Sequence, residues 1–247
     1  MIVQKQRLDQ ILFNRNLAES KSKAQAMIMA GQVFVEGKPI YKSGFNINNN
    51  VIIEIKNLGP KWVSRGATKL ITALEKNKIV VKNKVCIDLG SSTGGFTDVL
   101  IHNGADKVYA VDVGTNQLHE KLKKNNKIIS YEKTNARYLK KDQFEELIDI
   151  MVCDVSFISL KKVIEPNLNL LKTESIIIAL IKPQFESKKN ETKKGVVKDI
   201  IIHQRICDEI SEWFETLYES RVLSIIESPI KGPKGNIEFL ITVKFQK

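Results

Sequence analysis

The sequence predicts an α/β protein: a doubly wound, mostly parallel sheet with an antiparallel last strand, preceded by a small α+β domain. From residue 84 onward, short apolar runs alternate with stretches long enough for crossover helices, as in successive βαβ units. Two of those runs, "KVCIDLG" and "KVYAVDVG", end in Asp-x-Gly, as buried parallel strands do where they feed loops. Residues 1–58, by contrast, carry two helical patterns followed by strand patterns.

In that first segment, "RLDQILFNRNLAES" places Leu8, Ile11 and Leu12 at helical spacing and continues it at Leu17. "KSKAQAMIMAG" is a second short helix, stopped by Gly31. "QVFVEGKPI" alternates at Val33 and Val35 and turns at Gly37, and "VIIEI" is a further strand. Residues 59–64 are broken by Gly59 and Pro60 and are expected to form a linker. Ser64 is placed to cap the helix in "RGATKLITALEKNK". Ala67, Leu70, Ile71 and Leu74 form its apolar stripe, while Arg65, Lys69, Thr72 and Lys76 fall on another face. The remaining strands lie in "KIISYE", "IDIMVCDVS" and "SIIIALIKP". "HQRICDEISEWFETLYES" is amphipathic, and two late strands close the chain around a Gly/Pro/Lys turn.

The 39 Lys+Arg against 28 Asp+Glu give a formal charge of +11, which favours a polyanionic partner. Up to Pro60 there are 8 basic and 4 acidic residues, so the first domain is itself basic. No apolar run approaches the roughly 20 residues of a membrane-spanning helix. The start, "MIVQKQRLDQ", lacks the features of a signal peptide. Cys86, Cys153 and Cys207 are far apart and mostly inside apolar runs, which suits buried free thiols in a reducing compartment. A cytoplasmic protein without a metal, a disulfide framework or stable membrane insertion is expected.

"DLGSSTGGFTDVL", residues 88–100, runs from strand through a glycine-rich turn into a helix. Gly90 allows a sharp turn, and Gly94 and Gly95 allow close approach of a ligand or a neighbouring strand. About two dozen residues on, Asp112 ends the next strand, where a carboxylate can accept ribose hydroxyls. The spacing G-x-x-x-G-G departs from G-x-G-x-x-G, which weakens a pyrophosphate-binding nicotinamide site. S-adenosylmethionine has an adenosine and no phosphate, and Asp88 at the loop's entry suits its amino group and sulfonium charge.

"SIIIALIKPQFE" raises a different question, because six apolar residues end on Lys182. In an open α/β sheet, ligands bind outside the carboxyl ends of the strands. Asp154 ends "IDIMVCD", so if the two strands are neighbours both side chains point into one crevice. A buried lysine needs such an acid. Pro183 then holds Lys182 extended. Glu238, inside the strand-like "NIEFLITV", is a second oddity that an edge strand facing solvent would explain.

Together, "SRGATKL", "DLGSSTGGF", "DVSFISL", "LIKPQFE" and "GPKGNIEFL" closely resemble the TlyA family, described as haemolysins and as ribosomal-RNA 2′-O-methyltransferases. The resemblance covers essentially the whole chain. It implies that residues 1–58 resemble the RNA-binding domain of ribosomal protein S-four, and that 65–247 form a Rossmann-like, FtsJ/RrmJ-type methyltransferase domain. It implies a catalytic Lys69–Asp154–Lys182–Glu238 tetrad and S-adenosyl-L-methionine as cofactor. The cofactor set is Asp88, Gly90, Ser91, Ser92, Thr93, Gly94, Gly95, Asp112, Asn135 and Asp154. Arg7, Lys21, Lys23 and Arg65 are the expected RNA contacts, with Lys21 standing where many relatives carry arginine. The expected partner is ribosomal RNA or a ribosomal subunit, the expected target cytidine, and the expected state a monomer. A membrane-lytic protein is the alternative from another class, and an RNA-binding protein with a degenerate methyltransferase domain is a further one.

Overall fold

A computed structural model describes residues 5–29, 31–55 and 62–247. The chain divides into two units, Met1–Lys61 and Trp62–Lys247. Of the expected linker, residues 59–61 lie outside the described residues, and 62–64 are irregular.

In the first unit β1 (Lys5–Arg7) leads directly into α1 (Leu8–Asn14), followed by α2 (Lys21–Met29). β2 (Val33–Val35), β3 (Lys38–Pro39), β4 (Asn46–Asn48) and β5 (Ile53–Ile55) complete it. β1 pairs antiparallel with β4, and β3-β2-β5 form a second antiparallel sheet. Leu8, Ile11 and Leu12 pack with Ala24, Ile28, Val33, Val35 and Ile47 in one small core. Full burial of each larger aliphatic side chain contributes about 1.5–3 kcal/mol. The helical spacing does not continue to Leu17: Asn16 stands at φ 54 and turns the chain out of α1. β1 and β4, three residues each, are too short to leave a period in the sequence.

The second unit begins with α3 (Ala67–Asn77), whose buried face is Ala67, Lys69, Leu70, Ala73 and Leu74. Lys69, which the spacing sets on another face from the apolar stripe, is buried with it. Ser64 does not cap the helix proper; its Oγ accepts the Gly66 N–H one step earlier, at 3.1 Å. The sheet is built from β6 (Val85–Leu89), β7 (Lys107–Val111), β8 (Ile128–Tyr131), β9 (Ile148–Cys153), β10 (Leu171–Ile181), β11 (Arg221–Glu227) and β12 (Phe239–Gln246). Between them lie α4 (Gly95–His102), α5 (Glu120–Lys123), α6 (Lys161–Ile164), α7 (Pro183–Glu186) and α8 (Ile200–Glu215).

The strand order is β11-β12-β10-β9-β6-β7-β8. β6 to β10 pair in parallel, and β12 runs antiparallel to both β10 and β11. From β6 the chain winds outward through β7 and β8, then returns to place β9 on the other side. The switch point, and hence the crevice, lies at the carboxyl ends of β6 and β9. β6 and β9 are buried along their whole length, which is why each is apolar but for one aspartate, Asp88 and Asp149. One crossover departs from expectation. Between β8 and β9 there is no α-helix, only two 3-10 turns, Ala136–Tyr138 and Lys141–Gln143. α8 is capped by Asp199, which accepts the Ile201 N–H at 2.9 Å, and it buries His203, Ile206, Cys207, Ile210 and Phe214 on the sheet side.

Candidate active site

β9 and β10 are parallel neighbours, so Asp154 and Lys182, the first residues beyond their ends, emerge side by side. Lys182 keeps extended backbone angles before Pro183 starts α7. Its Nζ lies 2.5 Å from Asp154 Oδ1 and donates to Ser156 Oγ at 3.0 Å. From α3, Lys69 Nζ donates to the other oxygen, Asp154 Oδ2, at 3.3 Å and to Glu238 Oε2 at 2.9 Å. Glu238 precedes β12, which is an interior strand between β11 and β10 rather than an edge, and its side chain is fully buried. Gln184 Nε2 donates to Glu238 Oε1 at 3.3 Å.

Two ammonium groups and two carboxylates thus alternate in one line, Lys182–Asp154–Lys69–Glu238, with formal charges that balance. That balance is what makes the burial tolerable, since an uncompensated charge in this position is expensive. Each ammonium has three donors. Two on Lys182 and two on Lys69 are directed at these partners, leaving each nitrogen one donor to offer a ligand.

A cavity of about 270 Å³ opens beside this line; its walls include Lys69, Asp88, Gly90, Asp154, Lys182 and Glu238. A second, of about 500 Å³, includes Asp112, Asn135, Val155 and Phe157. The two share Gly90, Ser92, Asp154 and Ser156.

The glycine-rich loop forms the wall between β6 and α4. Gly90 stands at φ +84, and a Cβ there would lie 2.8 Å from the Asp154 carbonyl oxygen. Gly94, at φ +93, has its missing side chain's place taken by Leu118 and Leu122. Gly95 is approached by Ser64 and the Ala67 N–H. The room left by these last two glycines is filled by the protein itself, not by a ligand. Ser91 lines the smaller cavity, and Thr93 accepts the His119 N–H through its carbonyl.

Asp112 follows β7, where Oδ2 accepts the Ser92 N–H at 2.8 Å and Oδ1 the Gly114 N–H at 2.7 Å. These bonds fix the carboxylate while leaving a second lone pair on each oxygen. Asn135 begins a 3-10 turn and accepts the Arg137 N–H at 3.1 Å. Asp88 is buried; its Oδ2 accepts the Thr97 hydroxyl at 2.7 Å, while Oδ1 is buried without a protein partner. Burial pushes its carboxyl up to about 7; the Thr97 hydrogen bond opposes this and the nearby Asp154 charge adds to it.

Of the four expected RNA contacts, Lys21 and Lys23 are exposed on the first turn of α2, and Arg65 is exposed at the smaller cavity. Arg7 is exposed as well but is already partnered. Its guanidinium holds Asp9 through two bonds, of 3.0 and 2.7 Å, and this holds the Asp9 carboxyl down at about 2. Ser156 and Gln184 were not anticipated. Each stands two residues beyond a tetrad member, in "DVS" and "KPQ"; in the first, a non-helical segment, that spacing returns Ser156 to the side of Asp154, whereas Gln184 lies in the first turn of α7 and left no such signal.

An FtsJ-like methyltransferase family model matches residues 62–245, and an S4 domain model matches residues 6–53. The chain belongs to the FtsJ-like methyltransferases. Within them it is similar over nearly its full length to proteins of the TlyA group. Hemolysin A of Brachyspira hyodysenteriae is 42% identical, with 95% of this chain and 98% of that protein covered. The 16S/23S rRNA (cytidine-2′-O)-methyltransferase TlyA of Mycobacterium tuberculosis is 36% identical, covering 97% of this chain and 90% of that protein. A solved Streptococcus thermophilus protein that provisionally carries the hemolysin name superposes with a TM-score of 0.73 at 36% identity, covering 99% of this chain and 90% of that one. No helix among the described residues is long and apolar enough to cross a membrane.

Proposed function

We propose that this FtsJ-like methyltransferase moves the methyl group of S-adenosylmethionine to a ribose 2′-hydroxyl of ribosomal RNA, with cytidine the target nucleotide. The observation that carries it is the Lys182–Asp154–Lys69–Glu238 line beside the glycine-rich loop at the sheet's switch point.

The residues fit that cofactor. Asp88 Oδ1, a buried acceptor without a partner on the smaller cavity, suits an ammonium group. Asp112, on the larger one, has lone pairs for two ribose hydroxyls. Gly90, Ser91 and Ser92 would bring backbone to the ligand, with Asn135 on the far wall of the nucleoside side; Thr93, Gly94 and Gly95 would hold the loop's shape. When bound, the cofactor supplies an electrophilic methyl on a positively charged sulfur.

The chain's part is orientation and electrostatics. A ribose hydroxyl is a weak nucleophile, and Lys182 Nζ, held by Asp154 and Ser156, would offer its remaining donor to the oxygen as negative charge develops there, the hydroxyl proton leaving to solvent water. Lys69 offers its own from the other side of Asp154. Glu238, fixed by Lys69 and Gln184, keeps Lys69 directed into the cavity. Deprotonated, Lys182 would instead take the hydroxyl proton, and a pH–rate profile of the wild type distinguishes the two roles.

Residues 1–58 would bind RNA through Lys21 and Lys23, with 59–64 as linker and Arg65 guiding RNA on the methyltransferase side. A monomer in the cytoplasm, acting without metal, is the state this supports. The test is incubation of unmodified ribosomal subunits with purified protein and labelled cofactor, followed by digestion to nucleosides. Labelled 2′-O-methylcytidine is expected; label in bases only, or none, overturns the proposal. A lytic activity is the second reading, drawn from the hemolysin name of the Brachyspira relative. Dye release from lipid vesicles without cofactor would favour it.

A further inference from the structure

The loop that leaves β9 and the turn that leaves β10 touch at three places. At the near end, Lys182 reaches Asp154 and Ser156. At the far end, Glu186, the last residue of α7, reaches back to the same loop. The Leu160 N–H donates to Glu186 Oε1 at 2.6 Å, and the Ser159 side chain is a second hydrogen-bonding partner. Between the two ends the rings of Phe157 and Phe185 pack with centroids 5.0 Å apart.

The shape of this loop is not one its residues adopt unaided. Phe157 stands at φ 64 and is 90% exposed, an unfavourable backbone conformation for a bulky residue with little burial to compensate. Something outside the segment must hold it. Glu186 is suited to do so. Burial raises its carboxyl above the ordinary range, and the Leu160 amide and Ser159 oppose that. The charges that act on it are of opposite sign: Lys161 on α6 lowers it and Glu209 on α8 raises it. Glu186 lines neither cavity at the switch point, so direct chemistry does not account for it. Nor does packing, since an apolar side chain would be buried there at less cost.

We propose that Glu186 is a positioning residue for methyl transfer: by clamping Leu160 and Ser159, it holds the 154–160 loop so that Asp154 and Ser156 meet Lys182 Nζ. The assignment rests on the proposed function, but the clamp itself is a property of the fold.

The test compares Glu186→Ala with Glu186→Gln, which keeps a side-chain oxygen for the Leu160 N–H. Glu186→Ala is expected to lower kcat, read at saturating cofactor because the same loop lines the larger cavity, about 10- to 100-fold, as a small displacement of a reacting group does, with KM for RNA within about 2-fold. Glu186→Gln is expected to recover most of that loss. Amide hydrogen exchange at Leu160 should accelerate in Glu186→Ala and not in Glu186→Gln. Unchanged kcat in Glu186→Ala, or loss that Glu186→Gln does not relieve, overturns the proposal. Should Glu186→Ala not fold, Glu186→Asp carries the test: lowered kcat at retained Tm supports the clamp, and wild-type kcat overturns it. Wild-type protein that methylates no ribosomal substrate refutes the proposed function instead, and Leu160 exchange then decides the clamp.

Discussion

Lys69 and Glu238, 169 residues apart in the chain, meet at 2.9 Å in the interior of the second unit. One comes from the first helix of that unit and the other from the entry to its last strand. Their pairing fastens the two ends of the unit across the cavity and completes the chain of charges that begins at Lys182.

A buried pair of this kind is costly to break from one side. Glu238→Ala leaves Lys69 buried with only the longer 3.3 Å contact to Asp154. It is expected to lower stability by about 3–5 kcal/mol, measured by denaturant unfolding. Replacing both residues, Lys69→Met with Glu238→Leu, should restore much of the stability without restoring methyl transfer. A Glu238→Ala protein as stable as wild type would mean that the pair is not held as described.

Gly232 packs directly on this carboxylate: a Cβ at that position would overlap Glu238 Oε1. Its φ of −73 is open to any residue, so space and not backbone strain excludes a side chain. Gly232→Ala should displace Glu238 and lower kcat at least about 10-fold while cofactor affinity holds. Steady-state kinetics beside a cofactor titration checks this, and wild-type turnover would count against the described packing.

Asp88 makes cofactor binding depend on pH. Its carboxyl is raised to about 7 from 3.8, so between those values the folded protein holds a proton that the unfolded chain has released. Stability from this group is therefore greatest at low pH and declines as pH rises through about 7. A cationic ligand group at Oδ1 requires the ionised form. Cofactor affinity should rise from pH 6 to pH 8 and proton release should accompany binding near neutrality, both read by calorimetry in buffers of different ionisation heat. Asp88→Asn should flatten the pH dependence and weaken binding. A pH-independent affinity in the wild type would contradict the assignment.

On the first unit, Lys21, Lys23 and Arg7 are all exposed, but among the described residues only Arg7 of the three is tied to a carboxylate, that of Asp9, by two hydrogen bonds. Replacing both lysines with alanine should weaken RNA binding and reduce the slope of log K against log salt by about 1.4–1.8 if each contacts one phosphate. Arg7→Ala should act mainly on stability, by releasing the Asp9 carboxyl that it holds down at about 2. Filter binding at several salt concentrations with parallel thermal unfolding separates the two. An unchanged slope in the double variant would remove those lysines from the RNA contact.

Asp154 and Lys182 were legible because each ends an apolar run, and buried parallel strands deliver their next residue to the sheet's carboxyl edge. Lys69 was not. The spacing within α3 sets it apart from Leu70 and Leu74, and only Glu238, brought in by β12, makes an inward lysine tolerable. Glu238 looked like an edge residue because which strands flank β12 is a matter of topology, which no local period encodes. The missing helix between β8 and β9 has a similar cause. That crossover buries Ala136 and Leu139 and packs Phe144 through 3-10 turns, with no repeating stripe to read. The glycine loop's place was readable, but not that protein side chains fill the space at Gly94.

The central claim is that Lys182, in its ion pair with Asp154, drives methyl transfer to a ribose oxygen. Single-turnover methylation of ribosomal RNA by Lys182→Ala, with cofactor bound to saturation as verified by calorimetry, tests it most directly. A rate about 10²- to 10⁴-fold below wild type, at unchanged cofactor affinity, is the predicted result. A wild-type rate of 2′-O-methylation in that variant would contradict it.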